Sequence, residues 1–166
     1  MDEDESKARK REELSRIYIN EIMSKTFEGI SQLVEEAAEA VLKSSCRGCA
    51  QNTLAFVAHN YGYDPEKPDI DAYIVAAEKM ENRFAEGQAS ITREGNTVTH
   101  LIKPGACICP LVRDFKIVPA FPNLCLCSKN YVEFLYGAAA QRPAKAELIE
   151  TYNRGGNCCH FRIELL

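Results

Sequence analysis

The spacing of apolar residues changes once along this chain, and that change dictates the fold class. Up to about residue 86 the apolar side chains recur at intervals of three and four, the repeat that lays a stripe along one face of an α-helix. Leu14, Ile17, Tyr18 and Ile22 form one such set, and Ile30, Leu33, Val34, Ala37, Ala38, Val41 and Leu42 continue it beyond Gly29, as one bent helix or two. A further helix is expected after the Cys46 to Cys49 segment, with Leu54, Val57, Ala58 and Tyr61 on one face and Gly62 at its end. Another begins near Asp69, carries Ile70, Tyr73, Ile74, Ala77 and Phe84, and stops at Gly87.

Beyond residue 88 the period falls to two. Residues 89–93 and 97–102 read as the strands of a hairpin around Glu94-Gly95-Asn96. Ser128 is placed to cap a helix running to Gly137, and closing strands are expected over 144–151 and 158–165. In the last of these Cys159, Phe161, Ile163 and Leu165 share the face expected to meet the core, while Cys158, His160, Arg162 and Glu164 point outward. With 166 residues, 46% of them apolar, and with seven Phe and seven Tyr, the chain can fill one core. No repeat or linker divides it. The predicted architecture is a single α+β domain over residues 1–166. A mainly helical half, 1–86, packs on an antiparallel sheet, and in a cysteine-rich half, 87–166, a C-terminal helix is followed by a β-hairpin.

Charge narrows the partners. A net charge of −4 provides no basic field, and the run Lys7, Arg9, Lys10, Arg11 is flanked by acids on both sides, so it reads as a solvated helix start rather than a nucleic-acid arm. The first residues are acidic where a secretory signal needs a basic patch and then an apolar stretch, and no apolar run reaches membrane-spanning length. A soluble, cytoplasmic protein without nucleic-acid or membrane partners is expected. In a reducing compartment the eight cysteines point to metal ligation or thiol chemistry rather than to disulfides.

Six of those cysteines come as three close pairs: Cys46 and Cys49, Cys107 and Cys109, Cys125 and Cys127. In an extended segment residues i and i+2 point to one side, so each CxC is read as a two-thiolate clamp, and two clamps together suit tetrahedral zinc or an iron–sulfur cluster. The CxxC, read as lying just before a helix, admits a second use, because the helix dipole would lower the pKa of Cys46 for thiol redox chemistry. Free cysteine also packs well as a small hydrophobe, and Cys159, in line with Phe161 and Ile163, fits that simpler role. His59, His100 and His160 are isolated from one another, and none is assigned as a catalytic base.

The C-terminal stretch resembles a known family. Its carriers are Leu124-Cys125-Leu126-Cys127-Ser128, Tyr136-Gly137, Pro143-Ala144-Lys145-Ala146-Glu147-Leu148, and Gly155-Gly156-Asn157-Cys158-Cys159-His160-Phe161-Arg162-Ile163. This stretch resembles the 4-vinyl reductase domain family, particularly its stand-alone relatives labelled aminothiazoline-carboxylate hydrolase-like. The resemblance implies an α+β fold, often dimeric, around a pocket for small apolar or aromatic molecules, with a zinc ion held by three cysteines and a glutamate. Cys127 or Cys125, Glu147 and Cys159 match three of those ligands, and Glu150 stands where the remaining cysteine falls.

The leading expectation is thus a small-molecule-binding protein whose apolar pocket is lined by Phe115, Phe134, Tyr136 and Phe161. Beside it would lie a zinc or iron–sulfur site drawn from Cys46, Cys49, Cys107, Cys109, Cys125, Cys127, Glu147 and Cys159. The first alternative is a hydrolase of a small thiazoline or amide-type substrate, using metal-activated water or Cys127 as nucleophile, with Glu147 or Glu150 moving the proton. The second is a thiol redox protein. The N-terminal stripes would serve a homodimer or the chain's own core equally well.

Overall fold

A computed structural model of the protein describes residues 3–114 and 123–166. Within them the chain runs α1 (Glu3–Ser31), α2 (Glu35–Tyr61), α3 (Ile70–Phe84), β1 (Ala89–Glu94), β2 (Thr97–Ile102), a single turn α4 (Pro110–Arg113), α5 (Leu124–Ala140), β3 (Ala144–Glu150) and β4 (Cys159–Leu165). This is the α+β arrangement that the change of period predicts. Among the described residues no helix is long and apolar enough to cross a membrane.

α2 holds its inner face at near-helical intervals, burying Ala38, Leu42, Cys46, Ala50 and Val57, and ends where Gly62 turns left-handed at φ 78°. It runs straight through Cys46 and Cys49, so the CxxC lies in mid-helix and the dipole argument for Cys46 does not apply. Gly48 inside the helix costs about 1 kcal/mol relative to alanine, less than the burial of this face contributes.

The break from α1 to α2 falls after Ser31 rather than at Gly29, and the face of α1 that docks is not the one expected. Phe27 and Ile30 are buried with Met23 beside them, while Leu14, Ile17, Tyr18 and Ile22 are exposed. At about 100° per residue the two sets lie on opposite sides of the helix, so seating one turns the other outward.

α3 begins at the predicted position, and there the Asp69 carboxylate caps it, accepting from the backbone N–H groups of Asp71 and Ala72 at 2.8 and 3.2 Å. Tyr73, Ile74, Ala76, Ala77 and Met80 are its buried residues. α5 starts four residues before Ser128 and passes Gly137 to end at Ala140. Gly137 serves a close approach rather than a stop, since a Cβ there would lie 3.3 Å from the Arg142 carbonyl oxygen as the chain turns into β3.

The strands form one antiparallel sheet in the order β1-β2-β4-β3. Registers Ile91↔His100, His100↔Phe161 and Leu148↔Phe161 set those four side chains in a row across the inner face, with Val98, Ile163 and Ala146 in the next. Against this face α2, α3 and α5 close the main core. Both edge strands are blunted by helix carboxylates: Glu78 accepts from the Ile91 N–H of β1 at 2.7 Å, and Glu133 from the Ala146 N–H of β3 at 3.0 Å.

Candidate functional site

The fold brings cysteines of the three pairs, and Cys159 from a fourth segment, near one another. Cys46 on α2 and Cys127 on α5 touch, sulfur to sulfur, at 3.1 Å. The two thiols share one hydrogen bond, which lowers the pKa of Cys46 and, with burial, raises that of Cys127. Burial raises the Cys49 thiol, and Cys127 lies near enough to push it further the same way. Cys109, at the head of α4, is pushed by burial to about 11, with smaller contributions from Cys107 and Cys127. Cys159 is raised by burial to about 12, with Cys107, Cys125 and Cys158 adding to the effect. The thiols are therefore neighbours, and most of them hold their protons at neutral pH. Among the described residues no three His, Cys, Asp or Glu side chains gather around one point as a metal requires.

The clamp geometry expected of the second CxC does not form, because Cys125 and Cys127 lie in the first turns of α5. Two helical residues apart, they face nearly opposite ways. Cys127 meets Cys46, while the Thr151 hydroxyl donates to the Cys125 sulfur at 3.2 Å. Cys107 and Cys109 occupy irregular chain leading into α4.

Glu147 stands on the outer face of the sheet, ion-paired to its register partner Arg162, whereas Cys159 lies on the inner-face parity with Phe161. Strand parity thus separates two of the ligands that the resemblance implies. Glu150 accepts from the Asn157 N–H and from the Cys158 thiol, bonds that lower its pKa, and its side chain fills the space where a Cβ on Gly156 would sit. Cys158, expected to be exposed, is buried.

Of the expected pocket residues, Phe115 lies outside the described residues. Phe134 is half-buried under the Arg47 guanidinium, 4.9 Å from its ring centre, and lines an open groove of about 420 Å³ between α2 and α5. Tyr136 and Phe161 are core residues, and they flank a group that the sequence reading leaves unassigned.

That group is His100. On β2 it follows the inward parity of Val98 and Ile102, and it is fully enclosed. Its Nδ1 meets the Tyr136 hydroxyl at 3.0 Å, and its ring stands edge-on to Tyr136 and Phe161. Its Nε2 has no hydrogen-bond partner among the described residues. Glu81 Oε1 on α3 lies 4.0 Å from it, beyond hydrogen-bond reach. Burial holds the imidazole down at about 4 and pushes the Glu81 carboxyl up to about 7. Both shifts favour the uncharged form, so the contact is a neutral imidazole facing a carboxyl poised near neutrality rather than an ion pair.

Tyr73 packs edge-on against Tyr136 at 5.5 Å, and the Tyr131 hydroxyl meets Thr53 Oγ1 at 2.9 Å. Burial raises the Tyr131 pKa, and Glu81, Cys49 and Cys127 all lie near enough to raise it further. The signal for this group is present in the chain: Tyr73, Ala77 and Glu81 fall at four-residue steps on the buried face of α3.

No protein-family profile matches the chain, and no curated protein matches it in sequence. Among solved structures, trafficking protein particle complex subunit 3 from Naegleria fowleri, covalently bound to palmitic acid, superposes with a TM-score of 0.55 at 10% identity, over 90% of this chain and 96% of that one. The phenol-responsive sensory domain of the transcription activator PoxR, with phenol, gives a TM-score of 0.49 at 11% identity, over 86% of this chain and 73% of that one. The first likeness is one of fold.

Proposed function

We propose that this protein binds a small organic molecule, with the polar end of the ligand between Glu81 and His100 and its apolar body beside Tyr73, Tyr136 and Phe161. One observation carries the reading: His100 Nε2 is buried without a partner among the described residues, 4.0 Å from an oxygen of the largely enclosed Glu81 carboxyl. An unmet buried polar group costs about 1–3 kcal/mol, and a ligand hydroxyl, amide or carboxyl set to one side of the gap would bond to both groups. The trafficking-complex subunit of similar fold, with its covalently bound palmitic acid, and the resemblance to the 4-vinyl reductase family support a ligand-holding interior.

The test is thermal denaturation of the full chain against a panel of phenols, short carboxylic acids and amides. Binding at a hundred times Kd stabilises by about 2.7 kcal/mol, a shift that is readily measured. The expected result is a shift for the wild type that is lost in both Glu81→Gln and His100→Asn. No shift across the panel, or equal shifts in the variants, would overturn the reading.

A hydrolase is favoured by one feature, the Glu81 carboxyl near 7, the range in which a general acid–base works best. Zinc or an iron–sulfur cluster, expected from the cysteine pairs, would require thiols such as Cys46, Cys49, Cys109 and Cys127 to close around one point. Elemental analysis with thiol titration, before and after denaturation, decides that.

A further inference from the structure

We propose that Cys46 and Cys127 form a site of reversible oxidation, closing a disulfide that staples α2 to α5 when the protein meets a peroxide. The pair comes from positions 81 residues apart, yet the sulfurs lie 3.1 Å from each other. A disulfide is about 2.05 Å long, so closure asks the two sulfurs to approach by about 1 Å. Cys46 is fully buried on the inner face of α2, and Cys127 is half-buried near the start of α5. Around them Leu42, Leu124, Leu126 and Phe27 make an apolar seat. Such a seat admits a molecule as small as hydrogen peroxide more readily than a reductant the size of glutathione.

The chemistry balances within the pair. The Cys46 thiolate attacks one peroxide oxygen, the O–O bond breaks, and the departing hydroxide takes a proton to become water. Cys46 is then a sulfenic acid. The Cys127 sulfur displaces its hydroxyl, the S–S bond forms, and the thiol proton leaves with that hydroxyl as a second water. Two thiols lose two electrons in all, and one peroxide becomes two waters. Attack by a thiolate reductant reverses the link. Cys125, by contrast, is held by Thr151 on another side of α5, and Cys49 is exposed. This inference does not depend on the ligand reading, since neither cysteine touches the Glu81–His100 pair.

The experiment is peroxide titration of the native full chain, followed by alkylation of remaining thiols, proteolysis and mass mapping. One Cys46–Cys127 cross-linked peptide is expected, reversed by dithiothreitol, together with a rise in Tm on the order of 10 °C, as an 81-residue separation between cross-linked cysteines implies. Cys46→Ala and Cys127→Ala should each abolish the link and the rise, while Cys109→Ala keeps both. Should the core variants misfold, the wild-type map still decides. A link between other cysteines, or overoxidation of Cys46 with no link, would overturn the proposal.

Discussion

Replacing Glu81 with Gln tests the buried acid–imidazole pair through the pH dependence of stability. The Glu81 carboxyl rises in the fold from 4.5 to about 7. Its stabilising contribution is therefore complete below pH 4.5 and is lost as pH climbs through 7, about 3 kcal/mol in all at 1.36 kcal/mol per unit. His100 falls from 6.5 to about 4, so its contribution is present above pH 6.5 and lost as pH drops through 4, again about 3 kcal/mol. Between pH 4.5 and 6.5 the two slopes oppose each other, and the wild-type pair leaves little net dependence there. Urea unfolding followed by circular dichroism, from pH 4 to 8, separates them. In Glu81→Gln the stability gain over wild type should be near zero at pH 4, grow by about 1.4 kcal/mol per pH unit above 4.5, and level off near 3 kcal/mol above pH 7. His100→Asn should show the mirror image, its advantage over wild type growing as pH falls below 6.5. A Gln variant less stable than wild type at pH 8 would mean that Glu81⁻ and His100⁺ pair as ions, and the argument from desolvation would fail.

Removing the hydroxyl in Tyr136→Phe leaves His100 Nδ1 unpaired in the core, with an expected loss of about 1–3 kcal/mol in the same unfolding assay. Ile163→Ala, at a fully buried position in the centre of the sheet, should cost about 2–5 kcal/mol by urea melt, and a smaller loss would show that the core collapses around the gap. Ile22→Lys on the exposed side of α1 should change stability by less than about 0.5 kcal/mol, and a loss above 1 kcal/mol that depends on protein concentration would show this face covered by a second copy.

Much of the fold is legible before any coordinates. The period change at residue 88, the Asp69 cap, the Gly62 stop and the Gly95-Asn96 turn are local signals, and α3, the first hairpin and both closing strands lie within a residue or two of where they predict. The misreadings share a cause. Leu14 to Ile22 and Met23 to Ile30 are both acceptable helical stripes, and only docking against α2 decides which turns inward. Cys125 and Cys127 read as a clamp in a strand and separate in a helix, because two residues turn a helix by about 200° and a strand back to the same face.

The candidate site divides along the same line. Sequence by itself determines which residues share a face: His100 with Val98 and Ile102, Glu81 with Tyr73 and Ala77, Glu147 apart from the core parity. Those relations follow from the fixed geometry of one element. The meeting of Cys46 with Cys127, and of Glu81 with His100, is set by how α2, α3, α5 and the sheet pack, since each pair joins different elements. Burial is likewise a property of the assembled core. It turns an isolated histidine and a helix carboxylate into a pair that favours its uncharged forms, and no interval along the chain encodes it.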